Sequence, residues 1–272
     1  MKKLQDDDHE RAGVKRILSV LCMAVMLAGC SAQDADTESA AGQQEVLETL
    51  ENAGVKQTYR VVLEDIYYEQ KFPPYERSIE NYDFDITENE FAIYDIDHDG
   101  REELVFLLTQ SYTATMFASV YDCDSEGNIV EQFHGFPRLT FYSNGMIEVG
   151  ISHNQGHSGR FWPYTMYQYD AETDSYNAVA YVEAVDKDVI DTINSQLTEA
   201  GEEPAWDYPE EADISGSGLV YYICPHGIES DAEPADVTEY NIWHDTYVGD
   251  AEILDLPFMK LTEENINKVF GK

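Results

Sequence analysis

Residues 91–108 read FAIYDIDHDGREELVFLL. Two apolar runs, 91–94 and 104–108, flank a polar segment in which Asp95, Asp97 and Asp99 alternate with other side chains and Gly100 follows. The runs are too short for helices and rich in aromatic and β-branched residues, so they predict two strands. The segment between them has the spacing of a cation-binding loop: carboxylates at positions one, three and five, a glycine for the sharp turn at six, the Arg101 carbonyl at seven and Glu103 at nine. A helix–loop–helix calcium site would next need a bidentate glutamate at position twelve. That position is Phe106, inside the second apolar run, so the stretch reads as strand–loop–strand.

Four carboxylates brought within several ångströms repel by roughly a kcal/mol or more per pair even in a wet environment, so the pattern calls for a cation. Calcium is the expected cofactor, held by Asp95, Asp97, Asp99, Glu103 and the Arg101 carbonyl with an affinity of about 10⁻⁴ to 10⁻³ M. The ion would pin the two strands together. The alternative is an Asp-rich turn whose carboxylates bond backbone amides without a metal. The Asp-x-Asp-x-Asp-Gly-x-x-Glu core resembles the calcium loops of integrin-type FG-GAP repeats, which implies a strand–loop–strand setting and the same ligands.

Further along the chain, strand-type runs recur at 116–121, 129–133, 146–151, 164–169 and 176–182. Ser125-Glu126-Gly127-Asn128, Ser143-Asn144-Gly145 and Glu172-Thr173-Asp174 separate them as turns. They predict an antiparallel meander. Before it, Tyr59, Val62, Leu63, Ile66 and Tyr67 share one face of an amphipathic helix over 57–70 that should cover the sheet, with Pro73-Pro74 as its stop. After it come a helix around Val189, Ile190, Ile193 and Leu197 ended by Gly201, a strand at 219–223, and helices at 237–247 and 262–270. Thr262 is the expected N-cap of the last. The fold class is α+β, with one domain over 45–272 and a possible subdivision near 184. No repeat of twenty to fifty residues is visible, which counts against a propeller or solenoid.

At the amino terminus, Lys15 and Arg16 precede an uncharged apolar run, 17–28, too short to span a bilayer comfortably. It ends in Leu27-Ala28-Gly29-Cys30, which resembles the bacterial lipobox and implies removal of residues 1–29, lipidation of Cys30 and an extracytoplasmic protein anchored in the cell membrane. Asp6, Asp7, Asp8 and Glu10 sit poorly in such a leader, so translation starts either at Met1 or at Val14. Residues 30–44 read as a flexible tether. The layout also resembles a group of lipoproteins from clostridial gut bacteria, carried by the line FAIYDIDHDGREELVFLL and the carboxy-terminal VTEYNIWHDTYVGDAEILDLPFMKLTEENINKVF. That resemblance implies address and calcium, and no reaction.

The first 29 residues hold five Lys/Arg and four Asp/Glu, so the acidic excess behind the formal charge of −38 lies in residues 30–272. Such a field repels nucleic acid and anionic lipid. The 19 Tyr, 11 Phe and 3 Trp supply the apolar area that disordered acidic chains lack. Only Cys123 and Cys224 remain for pairing once Cys22 leaves with the leader and Cys30 takes lipid, and the sequence leaves open whether they do.

Catalytic signals are weak. His153 and His157 share a polar loop with Ser158 and Arg160, yet 156–160 ends in Arg where a nucleophile elbow needs Gly, and spacing fixes no third metal ligand. Cys224-Pro225-His226 is adjacency without a spatial dyad. Trp162, Trp206 and Trp243 offer an aromatic platform or, more simply, core. The expected function is therefore a membrane-tethered binding module with a structural calcium site, its partner an extracytoplasmic glycan, peptide or envelope protein. The alternative is an extracytoplasmic hydrolase working through His153 and His157.

Overall fold

The computed structural model describes residues 37–73, 77, 78, 85–153, 157–225, 227 and 232–271, with side chains from 53 onward except at 77 and 78. The leader, Leu27-Ala28-Gly29-Cys30 and the first residues of the expected tether lie outside the described residues. All the described strands lie in the compact unit Glu51–Lys272. No described helix is long and apolar enough to cross a membrane.

Helix α1 spans Thr37–Glu69, starting well before the expected residue 57 and taking in the last residues of the stretch read as tether. Tyr59, Val62, Leu63 and Ile66 are buried at helical spacing and form its inner face. Short strands β1 (Lys71–Phe72) and β2 (Arg77–Ser78) follow as a small hairpin. Strands β3 (Glu90–Tyr94), β4 (Glu103–Leu108), β5 (Phe117–Cys123) and β6 (Ile129–Gly135) then run as an antiparallel meander. Next come β7 (Leu139–Phe141), β8 (Met146–Gly150), β9 (Tyr164–Asp170) and β10 (Ser175–Asp186), which begin a second antiparallel sheet. Helix α2 (Lys187–Glu199) leaves β10 at its N-cap Asp186, and Gly201 beyond its end has a φ of 82°. Strands β11 (Leu219–Cys224) and β12 (Pro234–Ala235) complete the second sheet. Helix α3 (Val237–Tyr247) is closed by a capping box of Asp236 and Glu239. Strand β13 (Met259–Lys260) returns to pair with β3, and α4 (Glu263–Phe270) starts at Thr262, whose hydroxyl accepts from the Asn265 N–H.

The expected α+β class, antiparallel sheets, amino-terminal helix and later helices are all present. The strand order is β13-β3-β4-β5-β6 in one sheet and β12-β11-β10-β9-β8-β7 in the other, so the meander divides into two sheets after β6. The reason lies in the alternation. Leu104, Phe106 and Leu108 of β4 pack with the α1 face, Leu261 and Ile266, while Val105, Ala92, Val120 and Phe133 pack against Phe141, Ile147, Val149 and Tyr176 of the second sheet. Both faces of β4 are covered, which is why its sequence is an unbroken apolar run instead of an alternating one. The far face of the second sheet, with Met146, Tyr164, Met166 and Val182, is covered by Tyr240, Trp243 and Tyr247 of α3. The result is four layers: helix, sheet, sheet, helix. Cys123 and Cys224 are both buried and free, one in each sheet.

Candidate metal centre

Tyr94 pairs with Glu103 across the β3–β4 ladder, so residues 95–102 form the loop and Glu103 is the first residue of β4. Side chains alternate along a strand, which puts Glu103 on the same face as Val105, the face turned to the second sheet. The loop is tied down by Ile96, 1% exposed in the inter-sheet core. Two side chain-to-backbone bonds then curl the chain: Asp99 N–H donates to Asp97 Oδ1 at 3.0 Å and Arg101 N–H to Asp99 Oδ1 at 2.7 Å. His98 and Gly100 take left-handed φ values of 63° and 94° at alternate positions, the second being the sharp turn for which glycine was expected.

This curl brings one carboxylate oxygen from each of Asp95, Asp97, Asp99 and Glu103 to within 4.8 Å of the others. Oxygens on opposite sides of an ion with bonds of 2.3–2.6 Å lie about 5 Å apart, whereas bonds of 2.0–2.1 Å place them about 4 Å apart. A spread of up to 4.8 Å leaves room for one divalent ion among the four oxygens. The donor set is all oxygen, as a hard cation requires.

Glu103 is fully buried, and its two oxygens differ. Oε2 accepts the Ile96 N–H at 2.7 Å, while Oε1 has no hydrogen-bond partner among the described residues, and neither does the buried Asp95 Oδ1. A buried carboxylate oxygen with nothing donating to it is costly unless a proton or a cation is supplied. Burial, reinforced by the charges of Asp97, Asp122 and Asp99, accordingly pushes the Glu103 carboxyl up to about 9 against the pull of the Ile96 N–H. Asp97 is also raised, chiefly by burial. The four residues can coordinate a metal ion, and without one burial favours the protonated form of Glu103.

Arg101 serves the loop from outside. Its Nε and Nη2 donate to Asp99 Oδ2 at 3.0 and 2.8 Å, Nη2 also pairs with Asp122 Oδ2 at 2.7 Å, and Nη1 donates to the Cys123 carbonyl at 2.9 Å. Asp122 is 1% exposed and takes a further bond from the Tyr59 hydroxyl at 3.2 Å. The guanidinium thus ties the loop to the end of β5, and Asp122 in turn is bonded to Tyr59 of α1. Nothing in the sequence pattern announced Asp122 as its partner.

His153 is exposed beside Ser152, with 2.9 Å between Nδ1 and Oγ, and residues 154–156 lie outside the described residues. His157 packs on the Trp206 ring at 4.0 Å between centroids. Ser158 is buried and donates to the Ala184 carbonyl at 2.7 Å, and Arg160 reaches Asp186 and the Ser217 carbonyl. Among the described residues neither imidazole has a carboxylate within hydrogen-bonding distance. An imidazole–carboxylate pair exists elsewhere, His244 Nε2 to Glu148 Oε1 at 2.8 Å, where it joins α3 to β8. Trp162 donates to the Ile151 carbonyl under the Arg138 guanidinium and Trp243 packs from α3 against the second sheet, while Trp206 is half exposed.

Compared with known proteins, the chain matches no protein-family model, no curated protein and no solved structure.

Proposed function

We propose that this protein is a lipid-anchored extracytoplasmic lipoprotein whose folded domain is a binding module stapled by one calcium ion. The observation that carries the calcium reading is the buried Glu103 Oε1, without a hydrogen-bond partner among the described residues, amid three further carboxylates. Asp95, Asp97, Asp99 and Glu103 would hold the ion, with the Arg101 carbonyl as the fifth ligand expected from the loop spacing. The ion's role is structural: binding free energy gained only in the folded state is folding free energy. A calcium site of the extracellular type, with an affinity of about 10⁻⁴ to 10⁻³ M, suits an extracytoplasmic address. That address rests on Leu27-Ala28-Gly29-Cys30 and the apolar run before it. The strongly acidic chain favours a neutral or cationic partner, a glycan, peptide or envelope protein, over nucleic acid.

Two experiments test the two halves. Thermal unfolding of the purified protein should show a midpoint several degrees higher in millimolar calcium than in chelator, and Asp97→Ala should remove that difference; an equal midpoint in both buffers for the wild type contradicts the calcium reading. For the anchor, cells fed radiolabelled palmitate should label the wild type and not Cys30→Ser, and the variant should leave the membrane fraction. Label retained by Cys30→Ser would contradict lipidation there.

A further inference from the structure

The metal loop is gripped from the opposite sheet. In the β5–β6 ladder Val120 pairs with Phe133 and Tyr121 with Glu131, so Gln132 is the extra residue of a β-bulge. A bulge re-aims the side chain it carries. Gln132, 4% exposed, turns toward the second sheet: Nε2 donates to Asp174 Oδ1 at 2.7 Å and stands 3.5 Å from Asp97 Oδ2. Asp174 closes the β9–β10 turn with a left-handed φ of 50°, a conformation that aspartate tolerates better than most residues. Its Oδ1 also accepts the Tyr169 hydroxyl at 2.9 Å, and that hydroxyl lies beside the Asp97 carboxylate. Two neighbouring buried polar atoms, Gln132 Oε1 and the Tyr176 hydroxyl, have no hydrogen-bond partner among the described residues, and the Tyr176 hydroxyl lies in the field of Asp97 and Glu103. Three chain segments therefore meet at Asp97: its own loop, the β6 bulge and the β9–β10 turn.

We infer that Gln132, Asp174 and Tyr169 are positioning residues that hold Asp97 for the cation, so that an ion in the β3–β4 loop clasps the two sheets to each other as well as β3 to β4. This rests on the calcium reading. Outer residues that orient metal ligands change affinity without touching the ion. Through Asp97 the grip is reciprocal: what favours the ion favours the hairpin's seat, and the converse.

The experiment uses the full chain, titrated with calcium by calorimetry and followed by amide hydrogen exchange with and without calcium. In the wild type, calcium should slow exchange at Tyr169 and Thr173, whose N–H groups bond Gly145 and Asp170. Asp174→Ala should weaken calcium binding by about tenfold and abolish the calcium-dependent protection of this hairpin. Asp174→Asn, which keeps an acceptor oxygen for Gln132 and Tyr169, should restore both, and Tyr169→Phe should fall between. A role confined to folding would lower the melting point of Asp174→Ala while leaving affinity and calcium-dependent protection unchanged, and that result overturns the inference while the calcium reading stands. The same holds if the wild-type hairpin exchanges equally with and without calcium although calcium binds. A wild type that binds no calcium in the titration removes the calcium reading and this inference together.

Discussion

Replacing Glu103 by glutamine should raise the melting point of the metal-free protein at pH 8 and at the same time abolish its response to calcium. The two effects have one origin. In chelator the wild-type fold must either bury a charged carboxylate or keep a proton that the unfolded chain has released. With the carboxyl pushed from 4.5 to about 9 by burial, the folded state holds the extra proton throughout the interval between those values, so stability falls as pH rises through it. A tenfold change in acidity between the folded and unfolded states corresponds to about 1.4 kcal/mol; allowing for relaxation around the site, the penalty removed by glutamine at pH 8 is roughly 2–4 kcal/mol, or about 4–15 °C in a domain of this size. Glutamine keeps an oxygen for the Ile96 N–H, so the local hydrogen bond survives. The gain should shrink as pH falls and vanish below about 4.5, where the carboxyl is protonated in both states. In millimolar calcium the gap narrows, because only the wild type gains from the ion, by about 0.4–1.4 kcal/mol at 1 mM for a dissociation constant of about 10⁻³ to 10⁻⁴ M. Thermal unfolding of both proteins at pH 5 and pH 8, in chelator and in calcium, checks the difference between them under all four conditions. If Glu103→Gln were less stable than the wild type in chelator at pH 8, burial without a partner would not describe this carboxylate.

Arg101→Ala should destabilise the protein whether or not calcium is present. Asp122 is almost fully buried, and the guanidinium is its charge partner at 2.7 Å. Removing one member of a buried ion pair leaves the other uncompensated, which costs about 3–5 kcal/mol in dry surroundings. Arg101 is itself a third exposed, so solvent screening reduces the expectation to about 2–3 kcal/mol, or roughly 4–10 °C. Lysine should recover only part of the loss, since a point charge cannot serve Asp99, Asp122 and the Cys123 carbonyl together as the fork does. Chemical denaturation of the three proteins in chelator and in calcium gives the comparison. A loss below about 0.5 kcal/mol for the alanine variant would place Asp122 with the ordinary solvated surface charges.

The segment 91–108 was readable because each level of its sequence agrees with the others: strand-forming residues in two short runs, a glycine where φ must be positive, and acids at the alternate positions that the curl turns inward. The helix face of Tyr59, Val62, Leu63 and Ile66 was legible for the same reason. The division into two sheets was not, because inward-facing residues on β6 and β8 look alike whichever sheet they join. Strands β7 and β13 are only three and two residues long, below the length at which alternation is a signal. Gln132 and Asp174 escaped notice because a bulge is a property of register between strands, and Gln132 matters only where β6 meets a hairpin 42 residues away. Glu103 was placed as a ligand by spacing; that it is buried, with one oxygen left over, emerged only once β4 was seen to lie between α1 and the second sheet.

The most direct test of the central claim is equilibrium dialysis of the full chain against radioactive calcium, with Glu103→Gln alongside. One saturable ion per chain with a dissociation constant of about 10⁻⁴ to 10⁻³ M, absent from the variant, is the predicted result. Absence of saturable binding by the wild type up to about 10 mM, well beyond the range of such sites, or equal binding by both proteins, would contradict it.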